Sequence, residues 1–278
     1  MADWSRMVHG IGDLHAGGVK RPRVAALLED AERLSTPAVH LQIGDSTERG
    51  RPEEDVLARR WLGRLPGPAH TILGNHDVMH NIRTPAQWAK AYGIASANYL
   101  IDLPFLRIIC VAPDRDLPPE RSGTLSPATL AWLEQRLRRA PGRRDCWIAC
   151  HWPLYRTVLG DHRKLFTSAM RHFHAKPDAE IRALLARNPN AKAWISGHTH
   201  SPLEAPGLIT RATLPGGRST VSINLSAIAG VGKVREQQDP ICSLYLTHLP
   251  GKIEIRFRDH GARKWKTVHG NRVQTVRV

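Results

Sequence analysis

Over its first two-thirds the chain alternates short apolar runs with stretches of helical periodicity, and that alternation admits few folds. Residues 7–12, 38–43, 70–73, 98–102, 106–112, 145–149 and 191–195 read as strands. Between them, residues 22–34, 52–65, 84–92, 126–139 and 177–188 read as helices. The first of these puts Val24, Leu27, Leu28 and Ala31 on one face. The fourth opens with Ser126 as N-cap and Pro127 at the first helical position, and stops before Pro141-Gly142. Such βαβ alternation implies crossovers and a largely parallel sheet. After residue 200 the character changes. Residues 221–225, 241–249 and 252–258 are rich in β-branched and aromatic side chains, and the tail 264–278 alternates around His269-Gly270-Asn271 as a hairpin would. This strand-rich end is expected to form a second sheet packed on the first. The predicted class is α/β: a four-layer α/β/β/α sandwich of two packed mixed sheets with flanking helices. Residues 1–260 would form one domain, with 261–278 a C-terminal hairpin or tail packed on it.

Five polar islands interrupt this pattern, each where an apolar run ends: Asp13-Leu14-His15, Gly44-Asp45, Gly74-Asn75-His76-Asp77, His151, and Gly197-His198-Thr199-His200. In a parallel α/β sheet the carboxyl ends of the strands open onto the ligand-binding crevice. Asp13 and His15 are two residues apart, as are His198 and His200, so an extended backbone would point each pair to one side. Gly44 and Gly74 let the backbone approach an ion closely. A lone Asp-x-His or Gly-Asp is commonplace. The ordered set, all at strand ends, supplies carboxylate, amide oxygen and imidazole for about two metal ions, and Mn, Fe and Zn suit that donor mix. A metal pair so held points to hydrolysis of a phosphate ester.

Composition sets the outer limits. At 278 residues, 41% hydrophobic and 23% charged, the chain is an ordinary globular protein. No apolar run is long enough for a membrane span, and the first residues lack a signal-peptide pattern, so a cytoplasmic location is expected. The four cysteines, Cys110, Cys146, Cys150 and Cys242, have neither disulfide-framework nor zinc-finger spacing. A net charge of +15 admits a nucleic-acid partner, but the basic residues are spread and no run of six consecutive ones occurs. A small phosphorylated substrate accounts for part of the bias, and nucleic acid is not favoured. No feature sets an oligomeric state.

With these motifs together, the chain resembles the calcineurin-like metallophosphoesterases. The family pattern Asp-x-His, Gly-Asp, Gly-Asn-His-Asp/Glu, His, Gly-His-x-His is complete and in order between residues 7 and 258. The segment 129–137 is similar to a helix of cyclic-nucleotide-phosphodiesterase-like and purple-acid-phosphatase-like members. The resemblance implies that Asp13, His15 and His200 hold one metal, that Asn75, His151 and His198 hold the other, and that Asp45 bridges them. It implies in-line attack on phosphorus by a hydroxide shared between the two ions. His76 would contact the phosphate or protonate the leaving oxygen, Asn75 would also face the phosphate, and Asp77 would orient a neighbour. The stretch Gly44-Asp45-Ser46-Thr47-Glu48-Arg49-Gly50 is similar to the Gly-Asp-x-x-Asp-Arg-Gly of serine/threonine phosphatases and some dinucleotide hydrolases. There the arginine contacts phosphate, a role that falls to Arg49, and the acid partners the catalytic histidine. Glu48 stands at the acid position, a departure from the usual Asp.

The function expected is phosphomonoester or phosphodiester hydrolysis, with nucleotides the favoured substrates. A metal-dependent nuclease is the alternative, and an idle scaffold with the same fold ranks below both, since no ligand position is lost. The long loop 152–176 carries Arg156, His162, Arg163, Lys164, Arg171, His172 and His174, and it reads either as a clamp on the non-reacting part of an anionic substrate or as a solvated basic loop.

Overall fold

The computed structural model describes residues 3–19, 21–114, 123–159, 167–170, 172–203, 207–230, 240–268 and 270–278. In chain order the described elements are β1 (Met7–Ile11), α1 (Arg21–Ala31), β2 (Val39–Gln42), α2 (Pro52–Leu62), β3 (Ala69–Thr71), α3 (Pro85–Ala91), β4 (Tyr99–Leu103), β5 (Leu106–Cys110), β6 (Gly123–Thr124), α4 (Pro127–Arg138), β7 (Cys146–Ala149), β8 (Ala175–Lys176), α5 (Asp178–Arg187), β9 (Ala191–Ser196), β10 (Ile209–Thr213), β11 (Ser219–Asn224), β12 (Cys242–Leu249), β13 (Lys252–Asp259), β14 (Lys264–Lys266) and β15 (Gln274–Arg277).

Two mixed sheets face each other. The first runs β14-β13-β12-β1-β2-β3, with β15 also on β13. The second runs β10-β11-β9-β7-β5-β4. β1, β2 and β3 are mutually parallel, as are β5, β7, β9 and β11, so each sheet has a parallel heart. The expected division of the chain is thereby corrected. The alternating part is not one sheet and the strand-rich end is not the other: β1–β3 pair with β12 and its neighbours, while β4, β5, β7 and β9 join β10 and β11. The reason is that β1 accepts β12 antiparallel on the side away from β2, which recruits the C-terminal strands to the first sheet. β14 and β15 lie one after the other along the same edge of β13, against Phe257–Asp259 and Lys252–Ile255 respectively, and between them Val268 and Asn271 exchange both backbone hydrogen bonds at 3.0 Å.

Burial follows the layers. Val8, Leu41, Ile108, Trp147, Ile195, Ile223, Leu244 and Phe257 meet between the sheets. On the outer face of the second sheet, Ile148 and Trp194 pack with Leu133 and Leu137 of α4 and Ile181 and Leu184 of α5. On the outer face of the first sheet, Ile11 packs with Val24, Leu27 and Leu28 of α1, the face read from sequence. Strands covered on both faces explain the near-continuous apolar runs. Helix starts follow local chemistry: the Ser126 hydroxyl accepts from Thr129 N at 3.1 Å, and Glu54 accepts from Arg51 N at 3.3 Å ahead of α2.

One buried ionic cluster ties α1 to the first sheet. Arg258 donates to both oxygens of Asp30, at 2.7 and 2.8 Å, and His260 Nδ1 lies 2.8 Å from Asp30 Oδ2. These partners hold the Asp30 carboxyl far below the usual range against the opposing effect of burial.

Candidate metal centre

All five polar islands emerge from the carboxyl ends of parallel strands, and they come from both sheets. β1, β2 and β3 of the first sheet lead into Asp13 and His15, Asp45, and Asn75. β7 and β9 of the second lead into His151, and into His198 and His200. The structure gathers these side chains at the junction. Ligand atoms of Asp13, His15, Asp45 and His200 lie within 4.8 Å of one another, and so do those of Asp45, His151 and His198. Asp45 belongs to both groups, and its Oδ2 is 3.2 Å from His151 Nε2 and 3.7 Å from His15 Nε2. Asn75 Oδ1 lies 3.2 Å from His151 Nε2. A third group joins His15, Glu48 and His76.

The backbone that presents these groups is not the extended one expected for Asp-x-His and His-x-His. His15, Asp45, His198 and His200 have φ of 49°, 52°, 70° and 48°, in the left-handed region. Strained non-glycine backbone of this kind concentrates at functional sites. Two glycines make the approach feasible. A Cβ on Gly74 would sit 2.1 Å from Asp45 N, and one on Gly44, at φ 89°, would sit 2.6 Å from His151 Nδ1.

Each of the four histidines spends one ring nitrogen on a partner outside the cluster. His151 Nδ1 donates to the Ile43 carbonyl at 2.7 Å, His200 Nδ1 to the Gly230 carbonyl at 3.0 Å, and His198 Nε2 to the His172 carbonyl at 3.1 Å. His15 Nδ1 faces the Glu48 carboxylate at 3.0 Å. The three hydrogen bonds fix the tautomers of His151, His200 and His198 and leave one lone pair on each of these rings aimed inward, as metal-ligating imidazoles require, while the Glu48 contact of His15 is a charge pair without hydrogen-bond alignment. His15 Nε2 and His200 Nε2 then confront each other at 3.1 Å, a contact that only a shared proton or a cation relieves. The donor set therefore fits a pair of cations.

Electrostatics agree. Burial alone would raise Asp13, but His200 and His151 outweigh it and bring the carboxyl down to about 2. Asp45 is likewise held well below the carboxylate range by His151 and His76 despite burial. His15 and His151 are raised to about 8 and about 9, because Glu48, Asp45 and Asp13 for the first, and Asp45 and Asp13 for the second, overcome burial. His198 falls to about 3 through burial and the neighbouring His151. Carboxylates that draw protons onto His15 and His151 make a place that a metal cation can occupy in their stead.

Around this core the remaining sequence candidates separate. The His76 backbone N–H donates to Asp45 Oδ1 at 2.8 Å and its Nδ1 donates to the Glu48 carbonyl at 2.8 Å. Its ring is 4.5 Å from that of His15, and burial lowers its pKa. Asp77 is buried and accepts from Thr47 N, Thr47 Oγ1 and Gly74 N at 3.0, 2.9 and 2.9 Å, so it ties the Asp45 loop to the Asn75 loop. Arg49 is exposed, its backbone N–H held by Glu54 at 2.7 Å. Of the basic loop, His162, Arg163, Lys164 and Arg171 lie outside the described residues. Its described part reaches the centre through the His172 carbonyl and the Phe173 ring, stacked 4.7 Å from His198. Arg156 is exposed over Tyr155, and His174 donates to the Met170 carbonyl. Backbone carbonyls such as those of Ile43, Gly230 and His172 leave no residue-type signal, which is why sequence reasoning missed them. Glu48 beside His15 was within reach, since the residue stood out in its motif.

Comparison with known proteins agrees with this geometry. A family model described as calcineurin-like phosphoesterase matches residues 7–202. A probable cyclic nucleotide phosphodiesterase of Synechococcus sp. is 28% identical over 200 residues, 70% of this chain and 70% of that protein. A glycerophosphodiester phosphodiesterase of Enterobacter lignolyticus is 30% identical over 177 residues, covering 62% of this chain and 59% of its own length. Among solved structures, a dimetal phosphatase from Danio rerio shares the fold over 99% of both chains, with a TM-score of 0.66 at 15% identity. The chain thus belongs to the calcineurin-like phosphoesterases, metal-dependent hydrolases of phosphate esters.

Proposed function

We propose that this protein hydrolyses a phosphodiester of a small molecule, with nucleotides the favoured class, at a centre of two metal ions. The observation that carries the reading is the shared carboxylate: among the described residues, Asp45 is the one that joins the Asp13, His15 and His200 group to the His151 and His198 group. Asp13, His15 and His200 would hold one ion, Asn75, His151 and His198 the other, and Asp45 both. Mn, Fe or Zn match these donors. Bound there, the ions would supply Lewis acidity toward the phosphoryl oxygens and lower the pKa of an attacking water. The chain's own residues do the rest. Asp45, fixed by the His76 N–H, keeps the two groups in register. His76, with Nδ1 tethered to the Glu48 carbonyl, turns Nε2 to the substrate as the group that hands a proton to the leaving oxygen. Arg49, exposed at the end of the same loop, would contact a phosphate oxygen. The diester preference draws on the two relatives named as phosphodiesterases. The four free, buried cysteines suit a reducing cytoplasm.

The test is a panel of bis(p-nitrophenyl) phosphate, p-nitrophenyl phosphate, cyclic nucleotides, glycerophosphodiesters and short RNA and DNA, run with added Mn and with metal analysis. Turnover of small diesters above monoesters is the expected result. Activity confined to RNA or DNA would replace the reading with a nuclease, and a chain that takes up no metal would end it.

A further inference from the structure

We propose that Glu48 is a positioning residue that governs the metal centre through His15. The inference rests on the two-metal reading above. Three of the four inward-facing histidines are steadied by neutral backbone carbonyls, those of Ile43, Gly230 and His172. His15 differs: its outer nitrogen faces a carboxylate, Glu48 Oε2, at 3.0 Å, a charge pair not aligned as a hydrogen bond. An anionic partner makes an imidazole a stronger donor and fixes its ring orientation, and groups in that position typically alter metal affinity or activity about 10–100-fold.

The local chain reserves the position. Glu48 N donates to the Ala16 carbonyl at 2.9 Å, and Ala16 N donates to the Ser46 carbonyl at 2.9 Å, so the backbones bearing His15 and Glu48 run side by side. Gly18 leaves room for the carboxylate, since a Cβ there would come within 2.5 Å of Glu48 Oε2. The same residue's carbonyl takes the Nδ1 proton of His76 at 2.8 Å. The acid at this motif position, expected to pair with the catalytic histidine through its side chain, instead serves that histidine with its backbone. The longer glutamate carboxylate is thereby released to the metal-ligand histidine. The Glu48 side chain is 34% exposed, so solvent screens its share of the pair with His15.

The experiment titrates metal-free protein with Co²⁺ alone, by calorimetry and by the visible spectrum of the bound ion, for wild type, Glu48→Gln and Glu48→Ala. The expected result is two ions in each protein, with Glu48→Ala weakened about 10–100-fold at one site and altered in that site's absorption. Glu48→Gln, which keeps a neutral acceptor, should fall between wild type and Glu48→Ala. Metal-free melting temperatures compared at pH 9 should agree, which separates positioning from unfolding. Wild-type affinity at both sites in Glu48→Ala would overturn the proposal. So would loss of a whole ion from the wild-type count, since Glu48 would then be a ligand. A wild type that binds fewer than two ions would instead remove the two-metal reading beneath it.

Discussion

The carbonyl oxygen of Asp45 accepts the backbone N–H of His15 at 2.9 Å. The residue common to both ligand groups thus also clamps, through its main chain, the loop that carries two other candidate ligands. The Leu14 N–H reaches the same oxygen at 3.1 Å. This clamp does not involve the Asp45 carboxylate, so side-chain chemistry at Asp45 can be altered without undoing the loop.

Asp45→Asn should therefore fold but lose the shared anionic ligand. Hydrolysis of bis(p-nitrophenyl) phosphate is expected to fall by at least about 100-fold, with bound metal dropping below two ions per chain in elemental analysis. Unchanged turnover would exclude Asp45 from the bridge.

His76→Ala should behave oppositely, retaining both ions while kcat drops about 10²–10⁴-fold, the range for loss of a general acid. A substrate with a nitrophenolate leaving group, which needs no proton, should suffer least. An empty metal position in this variant would make His76 a ligand rather than a proton donor.

Protonation sets a pH signature. In metal-free protein, His15 and His151 titrate near 8 and 9, above the ordinary histidine value, so each contributes stability that is complete below about pH 6.5 and lost as pH rises to about 9. Chelator-treated protein should melt lower at pH 9 than at pH 6.5, with a smaller drop in His151→Gln. Metal must displace those protons, so the affinity for Co²⁺ should rise between pH 6 and pH 8. A flat affinity across that interval would count against these two histidines as ligands.

Gly74→Ala tests close approach. Its Cβ would meet Asp45 N at 2.1 Å and Asp45 Oδ1 at 2.2 Å, and neither backbone can yield cheaply. The variant should lose metal and activity, and about 1–3 kcal/mol of stability by urea denaturation. Wild-type metal affinity would mean that the loop has slack.

Asp30→Ala probes the attachment of α1 to the first sheet, outside the ligand groups. It would leave the buried Arg258 and His260 without their carboxylate, at about 3–5 kcal/mol. The kcat of the protein that remains folded should be unchanged. A change in kcat without a change in stability would contradict the assignment.

Much of this molecule is legible in its sequence for definite physical reasons. Ser126 and Pro127 announce α4 because they satisfy and pre-set its first turn, and the Val24, Leu27 and Leu28 face of α1 is the buried one. The ligand islands are legible because carboxylates and imidazoles collect at strand ends. The division into sheets is not, because β1 pairs with β12 across more than two hundred residues and local periodicity carries no record of that partner. β10, an exposed edge with Thr210 and Arg211, was missed because it lacks an apolar run. The left-handed backbone of His15, Asp45, His198 and His200 has no residue-type signature either.

Donors from β1, β2 and β3 meet donors from β7 and β9 across the seam between the sheets. Cations gripped from both sides would act as rivets through the sandwich. Their hold would then register how well the interior closes, so a cavity cut at Trp147 or Ile195, beneath the seam, should loosen the metals as well as the fold.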